Sequence, residues 1–296
     1  VKSTATSDGT ITVGGTLTAD TIKLGEKTAD ADGKRQEKNQ IVLDADTTTV
    51  AKDGKLDVKN TLTLEKNLTV QGIVNAAATD VKVIGSGDTA TNNAVTVTVD
   101  VTDSTHAGSA SLGKVTVGAG TDQGANSLTV SVTDGAFAQA DSLDIAAEVK
   151  EGQTSKNKAG EFVLVTGKFN AGTLTNGGSV TIGDTGSAAS TVGTLTVSGT
   201  SVNKGTVTFG KAVKDTQNAL VIAADSTFSN EGNLGADTGT TGDITVAGTL
   251  TNVYKEESKQ GANDGITGKI NAATVNVEEG GVVNTALDNY KVTTTN

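Results

Sequence analysis

Carboxylates at alternate positions are the residues of this chain best suited to holding a metal ion. Asp30 and Asp32 form one such pair, and Asp44 and Asp46 form another. In an extended chain, side chains two residues apart project to the same side, and carboxylate oxygens are the ligands that Ca²⁺ takes in proteins. Neither pair belongs to an EF-hand loop or to a calcium-binding nonapeptide. Calcium at these pairs is therefore one hypothesis, and solvated acidic turns are the preferred interpretation.

A second group contains the residue types of a hydrolase triad: Asp103, Ser104 and His106. Triads assemble from distant segments, and no Gly-x-Ser-x-Gly elbow surrounds Ser104. His106 is the single histidine and the chain has no cysteine, which excludes the usual multi-His and Cys-based metal sites within one chain. We therefore interpret this group as a polar turn after a strand, and the sequence predicts that the protein is not an enzyme.

The composition limits both the core and the partners. Hydrophobic residues make up 35% of the 296 residues and aromatic residues only 2%, so Val, Leu, Ile and Ala must fill the core. Such small side chains suit a thin, elongated core better than a spherical one. The net charge is −11 with no basic stripe, so we expect no nucleic-acid partner. Apolar runs are too short for a spanning helix, so we also expect no membrane insertion.

Alternation with period two is the dominant pattern of the chain. Val95, Val97, Val99 and Val101 alternate with Thr and Asp, which predicts a half-buried strand with aliphatic residues inward and threonines outward. Similar short segments recur between Gly, Asn and Asp turn residues. Residues 136–149 are the best candidate for a helix, but 142–146 also fits a strand, and we favour the strand. The sequence therefore predicts an all-β fold.

An imperfect repeat favours one all-β architecture over another. Gly-Thr-Leu-Thr begins at Gly15, Gly172, Gly193 and Gly248. Degenerate repeats and a core without bulky aromatics favour an elongated β-solenoid of the parallel β-helix type. The uneven spacing leaves tandem β-sandwich domains as the alternative, although loops projecting from the turns of a solenoid explain it equally well.

The same patterns suggest a division of the chain. Residues 1–150 are predicted to be a β-rich region with loop insertions, and residues 160–296 a more regular solenoid-like region. Residues 151–159 are polar and are predicted to be a loop or linker. One continuous domain is the alternative. Since the numbering begins at Val1, we expect a chain that is processed or part of a longer one.

Two glycine- and threonine-rich segments, 172–183 and 193–199, carry a resemblance to known families. They resemble bacterial autotransporter passenger domains, and they also look like β-rich surface-layer (S-layer) proteins. The first resemblance implies a right-handed parallel β-helix on the cell surface. The second implies self-assembly into a lattice or sheath.

We therefore expect an extracellular structural protein of a prokaryotic cell surface that self-assembles into a filament, sheath or S-layer-like array. Exposed strand edges near the two ends would join copies into a homo-oligomer or polymer. The candidate residues for these edges are Thr10, Ile11, Thr12, Val13, Val292, Thr293 and Thr294. The rival is a monomeric adhesin stalk that presents a surface for glycans or proteins of the host or cell surface. A β-helix carbohydrate-active enzyme is the third and weakest alternative.

Overall fold

The computed structural model describes most of the chain. The described residues are 10–13, 16–19, 23–24, 40–43, 47–58, 61–64, 67–83, 93–118, 124–151, 154–185, 191–211, 213, 216–235, 242–253 and 268–285. Over these residues the chain is all-β and contains no helix.

Thirty-one strands run through the described residues, and most pair in parallel with strands one coil away. In chain order they are β1 (Thr10–Val13), β2 (Thr16–Ala19), β3 (Lys23–Leu24), β4 (Gln40–Leu43), β5 (Thr47–Val50), β6 (Lys55–Val58), β7 (Thr61–Leu64), β8 (Asn67–Val70), β9 (Ile73–Val83), β10 (Asn93–Val99), β11 (Val101–Asp103), β12 (His106–Ala107), β13 (Ser109–Val117), β14 (Asn126–Val132), β15 (Phe137–Ile145), β16 (Val149–Glu151), β17 (Thr154–Asn157), β18 (Glu161–Ala171), β19 (Leu174–Asn176), β20 (Ser179–Ile182), β21 (Gly193–Val197), β22 (Thr200–Asn203), β23 (Thr206–Phe209), β24 (Ala219–Ile222), β25 (Thr227–Asn230), β26 (Asn233–Leu234), β27 (Asp243–Val246), β28 (Thr249–Asn252), β29 (Lys269–Ile270), β30 (Thr274–Val277) and β31 (Val282–Thr285).

The parallel pairs arrange the described strands into three columns, which are the three faces of a parallel β-helix. Face 1 contains β2, β6, the first halves of β9, β13 and β15, the second half of β18, and β21, β24, β27 and β30. Face 2 contains β3, β4, β7, the second halves of β9, β13 and β15, and β19, β22, β25, β28 and β31. Face 3 contains β1, β5, β8, β10, β14, the first half of β18, and β20, β23, β26 and β29. The predicted solenoid is confirmed, and the sandwich alternative is not found.

The period-two pattern explains why these segments form strands. In β14, Leu128, Val130 and Val132 face the interior and the residues between them face outward or half outward. Burial of each aliphatic side chain stabilises the fold by about 1.5–3 kcal/mol. Similar side chains occupy the same register position on neighbouring coils. The largest fully buried side chains are phenylalanines, and the rings of Phe162 and Phe169 pack with centroids 5.4 Å apart.

Corner loops of different lengths explain the uneven sequence spacing. Asp57 and Asn75 stack on adjacent coils and are 18 residues apart, whereas Asn176 and Asn203 stack on adjacent coils and are 27 residues apart. The strands stay in register because the extra residues of the longer coil lie between strands in the sequence. An irregular repeat is therefore compatible with a regular stack of coils.

Two antiparallel hairpins project from these corners. β11 and β12 form the first, and β16 and β17 form the second. The first interrupts the strand predicted from Val95 to Val101: the chain turns at Asp100, whose carboxylate accepts a hydrogen bond from the Val101 amide, and Val101 becomes half-exposed. The second overlaps residues 151–159, for which the sequence predicts a loop or linker. The division into two regions remains a prediction.

Candidate functional site

Most of the site residues predicted from the sequence lie outside the described residues. These are Asp30, Asp32, Asp44, Asp46, Val292, Thr293 and Thr294, so the calcium hypothesis and the C-terminal edge remain predictions. The other predicted edge, Thr10, Ile11, Thr12 and Val13, forms strand β1, which lies parallel to β5. Within the described ranges, no three His, Cys, Asp or Glu side chains cluster as a metal-binding group.

The triad-like residues lie on the first hairpin and form a charged network. Asp103 Oδ1 accepts hydrogen bonds from the hydroxyl (2.7 Å) and amide (2.9 Å) of Thr105 and lies 2.7 Å from His106 Nδ1. The Thr105 hydroxyl, His106 and the Thr105 amide hold the pKa of Asp103 well below its ordinary value, because they stabilise the ionised carboxylate. His106 Nε2 lies 3.7 Å from Asp53, and Lys52 Nζ lies 3.9 Å from Asp103 Oδ2.

This network suits a structural contact between coils. The nitrogen of His106 that would activate a nucleophile in a triad faces the carboxylate of Asp53, and Ser104 is exposed. Asp53 belongs to the corner turn between β5 and β6, whereas His106 belongs to the hairpin that follows β10. These contacts therefore join the hairpin to a corner of an earlier coil.

A column of buried asparagines lines the corner between faces 2 and 3. Asn176, Asn203 and Asn230 are fully buried and Asn252 is 5% exposed. Each of the first three side chains donates from Nδ2 to Oδ1 of the next asparagine, at 2.7, 2.8 and 2.8 Å. The four residues thus form a continuous hydrogen-bonded chain through four coils, which we call the asparagine ladder.

The ladder also satisfies the backbone at the corner. The Nδ2 groups of Asn176, Asn203 and Asn230 each make a second hydrogen bond, to the carbonyl oxygens of Thr206, Asn233 and Lys269 in that order. Asn252 Nδ2 donates to the carbonyl oxygen of Gly268. Buried amides cost free energy unless they are paired, and here the side chains satisfy each other and the turn. Ile145 occupies the register position before Asn176, and Thr285 occupies the one after Asn252. The ladder therefore spans the C-terminal coils, and aliphatic residues fill the same position in earlier coils.

A column of glycines follows the asparagines at the same corner. A Cβ on Gly178 would lie 2.1 Å from the carbonyl oxygen of Gly160, one on Gly205 2.0 Å from that of Gly178, and one on Gly232 2.1 Å from that of Gly205. These oxygens belong to the adjacent coil, so any side chain would push two coils apart. The repeated Asn-x-Gly sequence thus combines an inward amide with a close backbone contact.

The side walls are polar over most of the described surface. Threonine, serine, asparagine and charged residues alternate with the buried aliphatic residues. The exposed large hydrophobic residues are Ile73, Phe137, Val149 and Val282. Ile73 and Phe137 lie on either side of Ser109 in the face 1 register, so a polar residue separates them. Among the described residues, none belongs to a helix long and apolar enough to cross a membrane.

A shallow groove of about 480 Å³ lies on face 2 beside the asparagine corner. Thr116, Asp144 and Thr175 occupy three successive positions in register along it. Lys114 lies at one end, 3.6 Å from Asp144, and Lys204 lies at the other end. The groove therefore runs along the helix axis across several coils.

The ends of the described stack carry strands with one described partner each. β1 pairs with β5, β30 pairs with β27, and β31 pairs with β28. A strand with one partner presents one row of backbone N–H and C=O groups away from the sheet. β2, β3 and β29 also have one described partner each, so within the described residues β1–β3 form the edges at one end of the stack and β29–β31 those at the other.

Comparisons with protein-family models, with curated proteins and with solved structures found no match to this chain. The fold and the arrangement of its side chains are therefore the basis for assigning a function.

Proposed function

We propose that this protein is an extracellular structural element of a prokaryotic cell surface whose β-helical rods assemble end to end. The one-sided pairing of β1, β30 and β31 among the described residues is the observation that carries the proposal. All three are parallel strands, so a second copy in the same orientation could continue the coil pattern. Such strand addition gains main-chain hydrogen bonds without a specific side-chain pocket.

The side walls support axial rather than lateral association. Stable protein interfaces are depleted of charged residues at their centres and enriched in aromatic ones. The described walls have few exposed large hydrophobic residues, and one exposed aromatic among them, Phe137. The net charge of −11 also opposes side-by-side packing of identical rods. The ends remain the better contact surfaces.

The rival proposal is a monomeric stalk that holds a binding surface away from the cell. The asparagine ladder supports it, because consecutive coils satisfy their buried polar groups with one another and need no partner to do so. Both proposals use the same rod and differ in whether its ends bind other copies. Electron microscopy of the purified protein at increasing concentration separates them.

We expect the native chain to form filaments or tubes as its concentration rises, and Thr12→Pro to weaken this assembly at least severalfold. Proline in β1 removes a backbone donor and distorts the edge strand. Asp134→Pro is the matched control, because its turn lies between β14 and β15, away from both ends of the stack. Asp134 is the second residue of a turn closed by the Ala136 amide on the Thr133 carbonyl (2.9 Å), and Gly135 follows it with φ 89°. Proline is favoured at that position, so this variant should assemble normally.

Isolated thin rods at every concentration would overturn the assembly proposal and favour the stalk. Equal loss of assembly in both proline variants would also count against β1 as the contact. A parallel series with Ca²⁺ and with a chelator tests whether the acidic pairs at Asp30, Asp32, Asp44 and Asp46 contribute. Filaments that survive chelation would exclude calcium as the bridge between copies.

A further inference from the structure

The groove on face 2 is a concave part of the described surface. Small side chains form its floor: Thr116 and Thr175 lie in register with Asp144 between them, and Ala147 lies at the adjoining corner. Adjacent coils are about 4.8 Å apart, so the groove extends roughly 14 Å from the coil of Lys114 to that of Lys204. That shape fits a linear chain lying along the rod better than a compact ligand.

The charges in the groove differ from those of the protein as a whole. The chain carries a net charge of −11, yet a lysine lies at each end of this groove. Lys114 is partly neutralised by Asp144 at 3.6 Å. Lys204 is exposed and forms no ion pair within the described residues. An anionic group would therefore bind first at Lys204, and Asp144 would compete with it at Lys114.

The backbone around the groove argues against a peptide as the occupant. An extended peptide binds a sheet mainly through unpaired main-chain groups at an edge. Here the corner amides already bond to the preceding coil: Gly177 donates to Ile145 (2.8 Å), and Lys204 donates to Asn176 (2.7 Å). The side chains that remain are the hydroxyls of Thr116 and Thr175, the ammonium groups of the two lysines and the Asp144 carboxylate, beside an apolar wall that includes Ile145, Ala146 and Ala147. The hydroxyls and ammonium groups match a ligand that carries many hydroxyls and some carboxylates.

We propose that this groove binds a linear acidic polysaccharide, with a uronate carboxylate at Lys204 and sugar hydroxyls along Thr116 and Thr175. This goes beyond the proposed structural role and does not depend on assembly through the ends. It would attach the side of a rod to an acidic surface or matrix polymer. Because exposed ion pairs are weak and screened by salt, the binding is of low affinity per rod and falls with ionic strength.

Calorimetry or fluorescence titration with a short oligogalacturonate as the probe tests the proposal. Lys204→Glu should weaken binding about fivefold or more, since it replaces an attraction by a repulsion. Asp144→Asn should strengthen binding, because it removes a competing carboxylate and releases Lys114. A misfolded variant would not gain affinity, so this second substitution separates a binding effect from a folding effect. Lys168→Glu, the same charge change at an exposed position on face 1, is the matched control.

Three results would overturn the proposal. The first is no detectable binding of the native chain to oligogalacturonate at low salt. The second is equal weakening by Lys204→Glu and Lys168→Glu, which would indicate a general charge effect. The third is equally tight, Lys204-dependent binding of polyglutamate, which would identify the groove as a site for acidic peptides. A neutral dextran oligomer serves as the negative ligand and should not bind.

Discussion

Replacing Asn203 by alanine is expected to lower the free energy of unfolding by about 3 kcal/mol. Asn203 is fully buried in the middle of the asparagine ladder. Its removal takes a hydrogen-bond partner from three groups: the side-chain amide of Asn176, the side-chain oxygen of Asn230 and the carbonyl of Asn233. Each buried polar group that loses its partner costs about 1–3 kcal/mol, and the deleted side chain leaves a cavity as well. Urea denaturation followed by circular dichroism measures the shift in midpoint.

Two further asparagine variants show whether the ladder causes this loss. Asn176→Ala removes the first member of the chain and should cost about as much as Asn203→Ala, because it also takes a partner from three groups: the side-chain oxygen of Asn203, the carbonyl of Thr206 and the amide of Gly178. Asn170→Ala changes an exposed asparagine on face 1 and should shift stability by less than about 0.5 kcal/mol. Equal midpoints for the Asn203 and Asn170 variants would show that the ladder does not stabilise the rod.

Gly205→Ala is expected to destabilise the protein by about 3 kcal/mol, although it adds a single methyl group. That methyl carbon would lie 2.0 Å from the carbonyl oxygen of Gly178 on the preceding coil. The blocking atom is backbone, so no side-chain rotation relieves the contact and the coils must separate. Overpacking of this kind typically costs 1–3 kcal/mol and occasionally more. Differential scanning calorimetry of the purified variant measures the loss.

Gly280→Ala is the control for the effect of replacing a glycine as such. Gly280 has φ 81°, and a Cβ there would have no neighbour within 4 Å. Its substitution should cost about 1 kcal/mol, from the left-handed backbone conformation alone. If the Gly280 variant were destabilised as much as the Gly205 variant, close contact between coils would not be the reason for glycine at the asparagine corner.

The strands and the type of fold could be predicted because they depend on local pattern. Alternation of valine with threonine or serine requires an extended chain with one buried face, and segment 126–132 forms a strand with that alternation. The interruption at Asp100 was not predicted, because Val101 continues the alternation into a hairpin. The hydrogen bond from the Val101 amide to the Asp100 carboxylate depends on where the chain leaves the coil.

The asparagine ladder was missed although the sequence contains a signal for it. Asparagine next to glycine is typical of a turn, yet period two places Asn176 on the same side as Leu174. The Asn-x-Gly sequence recurs at Asn203 and Asn230, each 27 residues after the one before. Combining the inward position with the recurrence would have identified buried, stacked amides.

The groove and the edge pairings could not be derived from the sequence. Corner loops change the number of residues per coil, so local pattern does not show which residues stack. Lys114 and Lys204 are far apart in the chain and reach one groove only because several coils lie between them in register. Sites of this kind depend on the complete set of coil lengths, which a pattern of strands does not determine.

The fold and both proposals depend on coils that stack in parallel register. Formation of a specific disulfide tests this stacking most directly. Thr181 and Thr208 are register partners on face 3, with hydroxyl oxygens 3.1 Å apart, and a parallel pair lies within disulfide range. The chain has no cysteine of its own, so mass spectrometry after mild oxidation can assign the bond. We predict an intramolecular disulfide in the Thr181→Cys, Thr208→Cys variant and none in Thr181→Cys, Thr196→Cys, whose second position lies on face 1. No disulfide in the first variant, or equal yields in both, would contradict the stacked β-helix.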